Sequence, residues 1–582
     1  MRIVNEEILS FTDKYYSREY RPLYILYEAP TGYGKSTLAL LIGKTIADYG
    51  YSYSYIHVLP MRSIVRNLYN RLEILKPPLD RLGITSDDIG YQASGFSFSG
   101  KDPFLARKYT ITTIDSFFLN LSKIGIGEWS IFTRHYEASR TMIFTSTTTF
   151  DEVHLYGGDP GSPEDILYTS LVLSIESVAL ARNPVIITTA TLPTLLGEDL
   201  YRRLKDLARQ TNGEAIWISY GRKVEPKTTS LAYIDREYDS IVDSAKWKTK
   251  LLIDKDNSYS FINNIVSDYM SGKRVLVVVN KPRRAIEVYN RLSSKGCKPL
   301  LVHGRMTYGD REVVEKELEN SKLLVATQVV EAGIDVSYDV LYTDIAPPSN
   351  LVQRVGRIIR SIDEMSSTGV GYVNIIVGGY SDVYKRDIIV ETISVLKNIL
   401  DRGLYINWRS YKNTSSYIGF TSFLDRVYST TKKLSIDHTY LNTFRDYIRS
   451  YMVLRRRIID TLIRSCIQGR GVTRSTVLVP LILIDSDEKH DIDTVTRNTI
   501  PVSLSWILSR VEKKVLKELY VVTMDQEGVV NDYRLSDSLL ETNKLRSMLC
   551  RWTIFSRYNS REYFIGLGIN PTLYKRGIGL LL

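Results

Sequence analysis

The residues best suited to chemistry begin at Tyr27–Leu41, YEAPTGYGKSTLALL. Gly32 and Gly34 allow a tight turn whose backbone N–H groups, with the N-terminus of a following helix, face an anion. Lys35 then reaches outer phosphates and Ser36 can ligate magnesium, with Tyr33 and Thr37 completing the loop. The general pattern opens with glycine where this chain has Ala29. DEVH at 151–154 supplies a carboxylate pair: Asp151 to hold magnesium through water and Glu152 to orient and deprotonate an attacking water. No histidine follows His154 at i+4 and no cysteine is near, so it reads as a coupling or packing residue. Thr189 and Thr191, in TAT at the end of PVIIT, place hydroxyls where a change at the phosphate could be relayed. Finally, NLVQRVGRIIR at 350–360 carries Arg357 and Arg360, expected to share a helix face with Gln353 and to engage one anion as arginine fingers.

These groups need strand ends to hold them. LYILYE precedes the phosphate loop as a short apolar and aromatic run suited to a buried strand, and STLALLIGKTIADY follows at helical spacing. Further strand-like runs are SYIHVLP (54–60), KYTITTID (108–115), TSTTTFDE (145–152) and PVIITTAT (184–191). A second series comprises KRVLVVVNK (273–281), KPLLVHG (298–304), KLLVATQ (322–328), DVLYTD (339–344) and GYVNIIVGG (371–379). Strands alternating with helical patterns predict parallel sheets covered by helices on both faces. The charged, proline-containing GRKVEPKTTS at 221–230 reads as the hinge between two domains, 1–220 and 221–385. From 386 to 582 helical patterns prevail, Arg-rich around RDYIRSYMVLRRRIIDTLIR, followed by a mixed region without a clear rhythm.

Composition sets outer limits. A chain of 582 residues exceeds one core and implies three or more domains. Lys and Arg outnumber Asp and Glu by 76 to 65, a net charge of +11 that is compatible with a polyanionic partner. Cys297, Cys466 and Cys550 have no paired spacing, which argues against a disulfide framework and a zinc ribbon and for an intracellular, cytoplasmic protein. No apolar run approaches the roughly 18 to 20 residues of a membrane span, so no membrane partner is expected. Six glutamines in the whole chain fit a thermophilic source.

Phosphate loop, DEVH, TAT and QRVGRIIR in this order resemble superfamily 2 helicases, and VATQVVEAGIDV at 325–336 matches a helicase motif joining nucleic acid to nucleotide. The combination FDEVHLY, ATQVVEAGIDVSYD and QRVGRIIR most resembles the helicase component of type I CRISPR interference, over roughly residues 20 to 380. That resemblance implies two tandem RecA-like domains plus a mainly helical C-terminal domain, with ATP and Mg2+ bound between the lobes. It implies Gly333 and Asp335 near the nucleotide, and Arg62, Thr113 and Thr327 on the nucleic-acid strand. The implied activity is ATP-dependent, 3′ to 5′ movement on single-stranded DNA that a guide-RNA surveillance complex has opened. In that family an HD nuclease is commonly fused ahead of the helicase. Here 28 residues precede Ala29, and the pair His490–Asp491 reads as a surface turn, so a separate HD nuclease polypeptide is the implied partner. A DNA-repair or RNA helicase of the superfamily, or a nucleotide-gated scaffold that clamps nucleic acid, remains the alternative.

Overall fold

Runs of Val, Ile, Leu and Tyr without strict alternation are read on both faces of a sheet, and they form buried parallel strands. The computed structural model describes residues 3–581 except 75–82, 94–99, 125–135, 157–165, 221–229, 234, 255–257, 332–335, 379–382, 431–433, 451–454, 474–476, 485–489, 526 and 556–557. In the first lobe the strands are β1 (Leu23–Glu28), β2 (Ser54–Leu59), β3 (Ile89–Gln92), β4 (Tyr109–Thr113), β5 (Ser146–Phe150), β6 (Val185–Thr189), β7 (Glu214–Tyr220) and β8 (Ser230–Tyr233). They lie in the order β3-β4-β2-β5-β6-β1-β7-β8, every pair parallel. Because all eight run the same way, their C-terminal ends share one edge, where the register sets Glu28 beside Thr189 and Val58 beside Phe150. The phosphate loop, DEVH and TAT therefore emerge side by side.

The second lobe repeats the plan with β9 (Lys246–Ile253), β10 (Val275–Val278), β11 (Leu300–Val302), β12 (Leu323–Ala326), β13 (Val340–Asp344) and β14 (Val370–Val377), in the order β11-β12-β10-β13-β14-β9, again wholly parallel. The first sheet runs past residue 220: β8 pairs with β7, so its edge lies beyond the expected start of the hinge, of which 221–229 fall outside the described residues. The polar run STTTF is fully buried in mid-sheet, its hydroxyls turned to local partners such as Ile143 O for Ser146 and Ser52 for Thr147.

After β14, helices prevail through Ile467 and pack on both lobes. The region beyond is built on a five-stranded mixed sheet of Leu478–Leu483, Thr499–Ser503, Tyr520–Met524, Val530–Arg534 and Tyr563–Ile569, with a core of its own. One cysteine reading is corrected here. Cys466 and Cys550 are disulfide-bonded, Cα atoms 5.7 Å apart, because the helices Arg455–Ile467 and Thr542–Phe555 pack together across 84 residues of sequence. Spacing along the chain carries no trace of that contact. Among the described residues no helix is long and apolar enough to cross a membrane.

Candidate active site between the lobes

The helix Lys35–Asp48 starts at Gly34, whose φ of 92° needs glycine and where no side chain caps the first turn. Its leading N–H groups are thus available to an anion. Gly32 is also left-handed, whereas Ala29 is not, so the departure from the general pattern costs the loop no backbone freedom. Lys35 is buried, its ammonium donating to Ala29 O at 3.0 Å and Pro30 O at 3.1 Å. Burial lowers its pKa, and the carboxylates of Glu152 and Asp151 oppose that. Thr37 is exposed in a cleft of about 430 Å³ that Gly32, Gly34 and Asn5 also line. Tyr33 contributes backbone only, since its ring is buried against Tyr220 and Tyr238 and its hydroxyl donates to Asp235 at 2.9 Å.

Ser36 donates to Asp151 Oδ2 at 2.7 Å, two hard oxygen donors side by side as a magnesium ion requires. Asp151 also accepts from the Thr188 hydroxyl and lies 3.1 Å from His57 Nε2, whose other ring nitrogen meets the Tyr55 hydroxyl. Burial opposes its ionisation, but His57, Thr188 and Lys35 outweigh burial and hold the carboxyl well below the usual range. Glu152 behaves oppositely: burial and the Asp151 charge raise it to about 7, against the pull of Lys35, Arg357 and Arg360. The pair is thereby divided into a permanent anion and a group able to take a proton near neutrality. Glu152 also sits at φ 54°, left-handed backbone steadied by its N–H donating to Asp151 Oδ1 at 2.8 Å.

His154 binds no metal group among the described residues. Burial drives its pKa down to about 3, so the imidazole is neutral. Nδ1 lies 3.0 Å from the Thr189 hydroxyl and 3.4 Å from Glu152, and Nε2 accepts from the Gln353 amide at 3.0 Å across the lobe boundary. Gln353 reaches the Thr191 hydroxyl as well, at 3.3 Å. DEVH, TAT and the arginine segment thus meet at one neutral histidine.

The expected shared helix face of Gln353, Arg357 and Arg360 is corrected. The helix Pro348–Val355 ends before either arginine, and the chain turns through Gly356 into a bridge between Ile358 and Tyr338. Ile359 there has φ 40°, a conformation that β-branched residues rarely hold. Both guanidinium charges nonetheless lie near enough to Glu152 to pull its pKa down against burial. Arg357 donates to Val330 O and Glu331 O, and the Arg360 N–H to Ser337. Gly333 and Asp335 lie outside the described residues. Of the strand-binding candidates, Arg62 donates to Tyr308 across the lobes at 3.2 Å. Thr113 is buried as the N-cap of the helix Ile114–Leu121, its hydroxyl spent on Ser116, and Thr327 is buried at the end of β12. Two site residues without a sequence signature are His57, described above, and Arg409. The latter donates to Thr31 O of the phosphate loop at 3.0 Å and to Gly356 O at 2.9 Å.

Two tandem RecA-like lobes, with a phosphate loop and acid pair in one and two arginines of the other near enough to act on that pair electrostatically, form the frame of a nucleotide-hydrolysing site. Residues 271–363 match the family model for the C-terminal part of the CRISPR-associated nuclease/helicase Cas3. The CRISPR-associated helicase Cas3 of Thermoproteus tenax is 23 % identical over 353 residues, covering 58 % of this chain and 54 % of its own. The T. fusca Cas3–ATP crystal structure superposes with a TM-score of 0.55 at 16 % identity, over 83 % of this chain and 61 % of that one. A chain of the CRISPR RNA-guided surveillance complex, pre-nicking, gives 0.53 at 14 % over 86 % and 63 %. At such identity the structural likeness concerns the fold, and the chain spans between 54 and 63 % of these three proteins. In motif order and in these matches the chain is similar to superfamily 2 helicases of the Cas3 type.

Proposed function

We propose that the chain is an ATP-dependent motor that moves 3′ to 5′ along single-stranded DNA in CRISPR interference, in the cytoplasm. The observation that carries this reading is the hydrogen-bonded path Thr189–His154–Gln353, which joins TAT and DEVH of one lobe to the arginine segment of the other with the Glu152 carboxylate 3.4 Å from the same imidazole. Lys35 and the loop N–H groups hold the β- and γ-phosphates of ATP. Ser36 and Asp151 hold Mg2+, which supplies charge neutralisation of the phosphates when bound. Glu152 takes the proton of the attacking water while Arg357 and Arg360 stabilise the charge that builds on the γ-phosphate, a role worth roughly 10³ to 10⁵ in rate. Gly333 and Asp335 are assigned to the nucleotide, and Arg62, Thr113 and Thr327 to positioning the strand, the buried Thr113 through its helix N-terminus. Because the arginines and the base sit on different lobes, hydrolysis needs closure, and product release permits opening. The motor takes DNA from a guide-RNA surveillance complex and delivers it to a separate HD nuclease.

ATP turnover by the purified chain tests this. Single-stranded DNA is expected to stimulate hydrolysis far more than RNA of the same length, and Lys35→Ala to abolish it. Equal stimulation by RNA defeats the DNA assignment.

A further inference from the structure

Beyond the second lobe, β15 (Tyr405–Asn407) leads into a loop that returns to the cleft. Asn407 fixes that loop, its Oδ1 accepting from the N–H groups of Arg409 and Ser410 at 3.1 Å each and its Nδ2 donating to Val242 O at 3.0 Å. Trp408 anchors it on β9 through Thr249 at 3.1 Å. Two side chains then reach the nucleotide motifs. Tyr411 donates to Ala190 O, inside TAT, at 3.1 Å, and Arg409 joins Thr31 O of the phosphate loop to Gly356 O beside Arg357.

Arg409 is unusual in its electrostatics. It is 3 % exposed, and among the described residues its donors meet two carbonyl oxygens, no carboxylate pairs with it, and its Nε–H has no acceptor. Lys35, buried in the same loop environment, feels its charge. The Glu364 charge reaches it without forming a salt bridge, and a buried guanidinium so weakly compensated, beside a buried ammonium, is unfavourable unless an anion completes the set. Carbonyl dipoles alone do not neutralise it.

We propose that Arg409 is a third cation of the nucleotide site, neutralised by the polyphosphate of a bound nucleoside triphosphate, and that the segment 405–412 is thereby held according to whether the site is filled. This rests on the ATP-dependent reading above. It gives the region after the second lobe direct contact with the phosphate loop, TAT and the arginine turn. Asp425, further along, caps Thr194 at the start of the helix that follows TAT, so the same region fastens the first lobe again. The 405–428 stretch is therefore placed to transmit nucleotide occupancy outward.

The test compares wild type, Arg409→Gln, Arg409→Lys and Lys35→Ala by thermal unfolding and by equilibrium binding of a fluorescent non-hydrolysable ATP analogue with Mg2+. Removing a charge-assisted contact predicts roughly tenfold or greater weakening in Arg409→Gln. The same variant keeps or gains stability without nucleotide, because a weakly compensated buried charge is gone, but loses most of the nucleotide-induced rise in Tm. Arg409→Lys, which retains the charge, recovers part of that rise. A fall in nucleotide-free Tm in Arg409→Gln, with an unchanged nucleotide-induced rise, makes Arg409 a structural tie and overturns the inference alone. Absence of any nucleotide-induced rise in wild type, or its persistence in Lys35→Ala, instead overturns the ATP site on which the inference stands.

Discussion

His154 is held neutral by burial and therefore joins Thr189 and Gln353 by hydrogen bonding alone, without the salt sensitivity of an ion pair. With Nε2 accepting from Gln353, the ring proton lies on Nδ1, facing the Thr189 hydroxyl and the Glu152 carboxylate. Any shift of the second lobe that withdraws Gln353 frees the imidazole and, through it, the base. His154→Ala and Gln353→Ala are each expected to lower DNA-stimulated ATP turnover, while the double variant loses little more than either single one. A double-mutant cycle on kcat should return a coupling of about 1 kcal/mol, and strictly additive losses would dismiss the link. At this scale the acid pair, phosphate lysine and arginines were legible because nucleotide chemistry demands those residue types at strand ends. His57 and Arg409 were not, since the first is one residue of an apolar strand and the second an arginine in a loop 374 positions after Lys35. Their roles come from tertiary contact only.

At the scale of elements, the arginine turn depends on the short helix Ile362–Thr368 that follows it. Ser361 and Glu364 form its capping box, Glu364 accepting from the Ser361 N–H at 3.0 Å, from the Ser337 hydroxyl at 2.6 Å and from Arg274 at 2.9 Å. Ser337 in turn receives the Arg360 N–H, so Glu364 braces the loop that presents Arg360. Burial alone would raise the Glu364 pKa, but these donors outweigh it and lower the group to about 2. A carboxyl whose folded pKa is depressed contributes stability that is present above its unfolded pKa of 4.5 and disappears as pH falls through about 2. Glu364→Gln preserves the cap geometry and removes the charge. It is expected to cost about 1 kcal/mol at pH 7, after allowance for solvent screening, with a deficit that shrinks between pH 4.5 and 2 in urea unfolding. A deficit independent of pH would assign the effect to packing. Strands with continuous apolar runs, β1 and β10 to β13, were readable for the reason that both their faces are covered. The edge strand β9, KWKTKLLI, was not, because its three lysines lie exposed while Trp247 alone is deeply buried, and charges conceal the pairing.

For the whole molecule, the lobes and the C-terminal sheet differ in how they are bound together. One continuous apolar cluster runs from the N-terminal helix Ile3–Tyr16 through the second lobe to the helix Phe420–Tyr428, so both lobes share a core with the segment that crosses between them. The five-stranded C-terminal sheet has a separate core that includes Cys466 and Cys550, and its tail returns to the second lobe through polar contacts such as Tyr574 and Arg576 with Asp310. Apolar continuity with the lobes is confined to the helix Arg455–Ile467, whose Ile458 and Leu462 belong to the first lobe's core, and to Ile554 and Ile578, and cores joined over so few side chains are expected to unfold as separate cooperative units. A bond that closes 84 residues within one unit removes denatured-state entropy worth about 4 kcal/mol, less any native strain. Cys466→Ser/Cys550→Ser, or reduction of the native protein, is therefore expected to lower a C-terminal transition in scanning calorimetry and leave the transition of the lobes in place. ATP hydrolysis without DNA should remain within about twofold of wild type, since among the described residues none assigned to the nucleotide lies in that core. If all transitions fall together, the C-terminal sheet and the lobes form one cooperative block, and nucleotide-driven motion must then bend the C-terminal region along with them.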